Sequence, residues 1–197
     1  MLVVIGGAEL FTGNNLIITS CCNKSATWKG LLRNWIVVYV GNFRGSLLLA
    51  SIVFIGFYFS TTGTSSLGLR ALSIANVKVD LNFFAALARG IGCNWLVCLA
   101  VWLAASSDDT VGKIFGIFFP IMAFVALGFE HSIANMYFIP IGLFLKTLPD
   151  YAAQASSNLT LNGFLVNNLL PVTIGNIIGG AVFVGILYWY VYLKGLK

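Results

Sequence analysis

Apolar residues run along most of the chain and give way to small polar clusters at only a few places. Five segments, 2–22, 34–59, 79–105, 112–145 and 168–193, are predominantly apolar over about the 20 residues that a transmembrane helix needs. Two of them are interrupted. In the first, Gly6, Gly7 and Gly13 surround the polar set Glu9, Thr12, Asn14 and Asn15. The fourth is too long for one straight span, and it carries Pro120 and the polar group Glu130–His131–Ser132 within the stretch GFEHSIANMYFIP. The pattern predicts an all-α membrane protein with two broken helices, one near Thr12 and one just before His131. Non-helical backbone at membrane depth is tolerated only when it is buried in protein or lines an aqueous cavity.

The chain also repeats itself. Residues 34–45, NWIVVYVGNFRG, and 168–179, NLLPVTIGNIIG, share the frame N-x6-G-N-x2-G. Upstream of each, Glu9 and Asn14 have the spacing of Glu130 and Asn135. The two motifs therefore recur in the same order, as expected from an internal duplication. Segment 79–105 precedes the second copy, and nothing equivalent precedes the first. We read one transmembrane domain over 1–197, with 1–59 as a first repeat without its first span and 79–193 as the second. Three spans per repeat is an odd number, so the copies lie in opposite orientations, an arrangement common among transporters.

Composition supports the membrane reading. Apolar residues make up 59% of the chain and charged residues 9%, against about 25% in soluble domains. The net charge of +5 does not call for a nucleic-acid partner. Lys24, Lys29, Arg33, Lys113, Lys194 and Lys197 fall in short loops on one side of the predicted spans, where the positive-inside rule places them. Arg70, Lys78 and Lys146 fall on the other side, while Arg44 and Arg89 lie within spans. The C-terminus is then cytoplasmic and Met1 external, and the chain reads as lacking the first of six spans. Cys21, Cys22, Cys93 and Cys98 have no metal-ligand spacing and read as small core residues. No cofactor, no metal and no enzymatic constellation is expected.

His131, the only histidine, stands beside a carboxylate in a broken helix. Ionisable groups at such depth are costly and face the bundle interior. Asn42 and Asn176, beside the glycines of the repeated frame, read as helix-tying residues.

AELFTGN (8–14), NWIVVYVGN (34–42), CNWLVCLAVW (93–102), GFEHSIANMYFIP (128–140) and PVTIGNIIGG (171–180) resemble the formate/nitrite transporter family. The resemblance implies a homopentamer of protomers with an aquaporin-like inverted-repeat bundle, each with its own pore for small monovalent anions. It implies that Thr12 and His131 meet at the pore centre, with Glu130 and Asn94 supporting the histidine. Lys78 would raise the potential along the pathway, Leu10 and Phe11 would form the cytoplasmic constriction, and Phe124 would belong to the outer one. Formate and nitrite, with protons, are the implied cargo; the alternatives are hydrosulfide within the same fold, or an inactive fragment truncated before its first span. A histidine, with an ordinary pKa of about 6.5, is suited to exchanging a proton with a weak-acid anion.

Overall fold

The computed structural model describes residues 1–59 and 62–195, which are helical with intervening turns and no strand. A 3-10 turn, Gly13–Leu16, leads into α1 (Ile17–Cys22). It is followed by α2 (Trp28–Phe57), α3 (Ser66–Val79), α4 (Phe83–Ala105), α5 (Thr110–Ala126), α6 (Ser132–Leu145) and the short α7 (Pro149–Ala152). The last helix, α8 (Gly163–Leu193), contains π-type turns at Gly163–Leu169, Ile178–Ile186 and Trp189–Leu193.

Local chemistry sets most of the helix starts. Thr27, Ser65, Asn82 and Asp109 each accept a hydrogen bond from the amide three residues on, at Gly30, Gly68, Ala85 and Gly112. These side chains satisfy donors that the first turn leaves open. The Gly112 amide also holds the Asp109 carboxyl below its ordinary pKa. His131 does the same for α6, its Nδ1 accepting from the Ala134 amide at 3.1 Å.

Helices α2, α4 and α8 are long and apolar enough to cross a bilayer, and α5 and α6 are shorter apolar helices. The first predicted segment differs. Residues 2–6 form turns, 7–10 are not helical, and only 13–22 coil into the 3-10 turn and α1. The polar cluster there takes tertiary partners instead of helical ones, as described below. Pro120 does not divide the fourth segment, because α5 runs through it. The break comes at Leu127–His131, where Gly128 takes the left-handed φ of 64° that only glycine adopts freely. Helix α3 lies between predicted segments in a stretch too polar to stand out, and α8 begins at Gly163, ahead of the predicted start at 168.

Glycines let α4 and α8 approach closely. A methyl group at Gly175 would overlap the Leu87 carbonyl oxygen, and one at Gly179 that of Ile91. Ala50, Leu72, Ala75, Met136, Ile139 and Leu145 form a core where α2, α3 and α6 meet. A second cluster, including Ile18, Cys21, Leu31 and Ala181, seats α1 on α2 and α8. The outer face of α2 is left uncovered, with Ile36, Val37, Leu48 and Ile52 exposed. A helix apolar on its outer face as well belongs against lipid or another subunit.

The repeated glycines are not equivalent in packing, since a methyl at Gly41 meets nothing within 4 Å. Gly175→Ala is expected to destabilise the protein by about 1–3 kcal/mol through overpacking. Gly41→Ala is expected to be neutral or mildly stabilising through helix propensity. Thermal unfolding of the detergent-solubilised variants checks this, and equal melting temperatures for the two would contradict it.

Candidate functional site

The two polar clusters make matching sets of hydrogen bonds. In the first, the Phe11 amide donates to Asn42 Oδ1 at 3.0 Å, and Asn42 Nδ2 donates to the Glu9 carbonyl at 3.0 Å. In the second, the Ser132 amide donates to Asn176 Oδ1 at 2.8 Å, and Asn176 Nδ2 donates to the Glu130 carbonyl at 3.0 Å. Asn14 Nδ2 donates to both the Glu9 carboxylate and Asn34 Oδ1. Asn135 Nδ2 likewise donates to the Glu130 carboxylate at 2.6 Å and to Asn168 Oδ1 at 2.7 Å. Each set follows a left-handed glycine two residues before the glutamate, Gly7 (φ 73°) and Gly128 (φ 64°). Asn34, Asn168 and these glycines were not singled out as site residues, although extending the frame to G-x-E-x4-N exposes the glycines.

The clusters meet at Thr12 and His131. Thr12 Oγ1 lies 2.9 Å from His131 Nε2, with Thr12 fully buried and His131 8% exposed. Because Nδ1 accepts from the Ala134 amide, the neutral ring carries its hydrogen on Nε2 and directs it at Thr12. A hydroxyl that accepts from the ring still has its own hydrogen to give. Phe124 stacks on the imidazole with ring centroids 5.9 Å apart and an interplanar angle of 20°.

Glu130 is close to His131 in sequence, but its carboxylate turns elsewhere. Lys78 Nζ reaches Oε1 at 2.9 Å, with the two side chains 12% and 3% exposed, and this is the one ion pair among the described residues. Asn168 Nδ2 lies 3.3 Å from Oε2 and 2.8 Å from the Lys78 carbonyl. Lys78 also lies 5.8 Å from the Phe138 ring centroid. Lys78, expected to raise the potential along the pathway, is thus held in an ion pair with a buried carboxylate. Asn94 serves the other side of the centre. Its Nδ2 is within bonding distance of the Thr12 carbonyl (3.2 Å), Asn15 Oδ1 (3.0 Å) and the Asn176 carbonyl (2.6 Å), and it makes no bond to the imidazole. Ser132 Oγ and Asn135 Oδ1 are buried with no partner.

Phe11 is buried and packs edge-on against Tyr39 and Trp35, at 4.9 and 6.0 Å between centroids, while Leu10 beside it is partly exposed. On the far side of His131, a cavity of about 390 Å³ is lined by Lys78, Arg70, Arg89, Phe124, Glu130 and Phe138 among others. A groove of similar size between α2 and α8, about 400 Å³, has apolar walls and no charge, so it offers nothing to an anion. Among the described residues, no three His, Cys, Asp or Glu side chains come together to hold a metal.

Apolar helices interrupted at two hydrogen-bonded polar loops, the second of them buried, define an all-helical membrane protein of the transport class. The family model for the formate/nitrite transporters matches residues 1–190, and the chain belongs to that family. It is 46% identical to a protein named "Probable formate transporter" from Methanothermobacter thermautotrophicus, aligned over 98% of this chain and 72% of the relative. It is 41% identical to the formate channel FocA of Escherichia coli (strain K12), over 98% of this chain and 70% of the relative. A solved pentameric formate channel with formate bound superposes with a TM-score of 0.86 at 43% identity, covering 98% of this chain and 78% of that one. An FNT family ion channel gives a TM-score of 0.82 at 33% identity, covering 96% and 72%.

The buried pair makes a stability prediction. Lys78→Met leaves the Glu130 charge without its cation and is expected to cost about 3–5 kcal/mol. Adding Glu130→Gln to that variant is expected to recover part of the loss. Unfolding in detergent measures both, and additive losses in the double variant would show that the pair is not coupled.

Proposed function

We propose that the chain moves small monovalent weak-acid anions, formate or nitrite, across a membrane through a pore centred on Thr12 and His131. The observation that carries this reading is the 2.9 Å contact between Thr12 Oγ1 and His131 Nε2, which joins the two helix breaks at the floor of a cationic cavity. A bare anion entering an apolar constriction loses hydration at a cost of many kcal/mol. Leu10 and Phe11 on one side and Phe124 on the other form the dry constrictions. At the centre, the Thr12 hydroxyl donates to the anion while His131 Nε2–H donates to Thr12, so the ring strengthens a donor it does not itself present. Lys78 offsets the Glu130 carboxylate that would otherwise repel an anion, and Glu130 holds Lys78 in place. Asn94 fixes the Thr12 carbonyl and with it the hydroxyl, while Asn42 and Asn176 tie the two breaks to their helices.

Transfer of a whole proton to the anion needs a doubly protonated ring. His131 Nδ1 then has to stop accepting from the Ala134 amide, so proton loading releases the cap of α6. Channel-like passage uses the capped ring, and proton-coupled passage uses the released one. Hydrosulfide, also small, monovalent and protonatable, is the second substrate that the same donor pair suits.

The relative solved as a pentameric formate channel supports a homopentamer, with the uncovered α2 face meeting lipid or a neighbouring protomer. The basic loops support a plasma-membrane protein with a cytoplasmic C-terminus and two repeats, 1–59 and 79–193, within one domain. The relatives carry anions rather than transform them, which supports a transporter and not an enzyme.

Thr12→Val keeps the side-chain shape and removes the hydroxyl. An unmet hydrogen bond of about 1–3 kcal/mol lowers formate flux into proteoliposomes roughly 5- to 160-fold, with little change in melting temperature. Full flux in that variant would dismiss the hydroxyl. His131→Asn keeps a good helix cap but cannot titrate, so flux survives without the wild type's pH dependence. Matching pH profiles and proton movement in wild type and His131→Asn would remove His131 from proton handling.

A further inference from the structure

The cavity beside the Thr12–His131 centre holds more positive charge than the pair described above uses. Arg70, Ser73, Ile74, Val77 and Lys78 all line it, and their spacing of three and four residues is that of one face of α3. Arg89 faces the same cavity from α4, six residues into that helix, roughly 9 Å from its start at 1.5 Å per residue. Arginine within a spanning helix is costly unless it faces water or a partner. Among the described residues, the only carboxylate lining the cavity is Glu130, and Lys78, Asn135 and Asn168 already hold it. Among the described residues, Arg70 and Arg89 have no ion pair. Arg70 and Arg89, both exposed, therefore line an open cavity beside Phe124 and His131, with no ion pair among the described residues.

We propose that Arg70 and Arg89 form a capture site for anions carrying two oxygens on one planar centre, carboxylate or nitrite, ahead of the central pair. Guanidinium presents parallel N–H donors that match two such oxygens. Hydrosulfide has one heavy atom and can use the charge but not the fork. The site therefore favours formate or nitrite over hydrosulfide before either reaches His131. This inference rests on the transport reading above for its role, but not for the binding itself.

The test has a flux arm and a binding arm, both on the full chain. In proteoliposomes at low ionic strength, each of Arg70→Gln and Arg89→Gln raises the KM for formate about threefold, with a smaller change in maximal flux. The added salt that weakens wild-type uptake has less effect on the double variant. Arg89→Lys restores the KM for hydrosulfide but not for formate. Lys113→Gln, at the opposite end of α5 from the cavity, removes the same charge and leaves KM as it was. In detergent, a titration with 13C-formate followed by NMR shows binding to the wild type and its loss in the Arg70→Gln/Arg89→Gln double variant.

Binding without flux in the wild type would overturn the transport reading and leave the capture site standing. Unchanged formate KM and unchanged 13C-formate binding in the double variant would overturn the capture site. Equal rescue of formate and hydrosulfide by Arg89→Lys would overturn it as well, because charge alone would then suffice.

Discussion

Breaking a helix inside an apolar bundle strands backbone amides and carbonyls where no water can serve them, and each such group costs several kcal/mol if unmet. Everything else in this structure depends on how that cost is avoided. Asn42 and Asn176 each offer one acceptor and one donor to a break, taking the Phe11 and Ser132 amides and giving to the Glu9 and Glu130 carbonyls. An asparagine side chain carries the same two groups as a peptide unit, so it replaces the missing helical partner on both counts. Asn176 gives its second hydrogen to the Gly90 carbonyl, which ties the break to α4 as well. The breaks are thereby tied to α2, α4 and α8.

Fixed breaks place Thr12 and His131 opposite each other, and the surrounding charges then decide what the meeting point favours. The two halves differ here. Glu130 is 3% exposed and paired with Lys78, while Glu9 lies exposed beside Asn14. A buried carboxylate without its cation would repel an approaching anion, and Lys78 cancels that repulsion while Asn135 and Asn168 fill the remaining lone pairs. Among the described residues, the arrangement leaves Arg70 and Arg89 as the cavity-lining charges without an ion pair.

Much of this was legible because apolar runs and repeated polar spacings are one-dimensional signals. The helices α2, α4 and α8 follow from hydropathy, and the frames at 34–45 and 168–179 single out Asn42 and Asn176, which make matching bonds. Three features were not legible. Helix α3 has no apolar run, since one face packs into the core through Leu72 and Ala75 while another lines a cavity. Pro120 looks like a breaker, yet the chain parts at Gly128, where a positive φ is needed. The direction of the Glu130 carboxylate, toward Lys78 and away from the adjacent imidazole, depends on a residue 52 positions away.

His131 brings structure and chemistry together in one ring. As the cap of α6 it must keep Nδ1 free of hydrogen, and as the partner of Thr12 it presents Nε2. An ordinary cap such as serine would start the helix without coupling it to anything. With an imidazole in that place, the second proton and the first turn of α6 compete for the same nitrogen. Ser132 and Asn135 stand in that same first turn, with Oγ and Oδ1 buried and unpartnered. In the proposed mechanism the cost of loading the ring is thus set by the start of a helix, and the Asn176 bond to the Ser132 amide limits how far that start can yield.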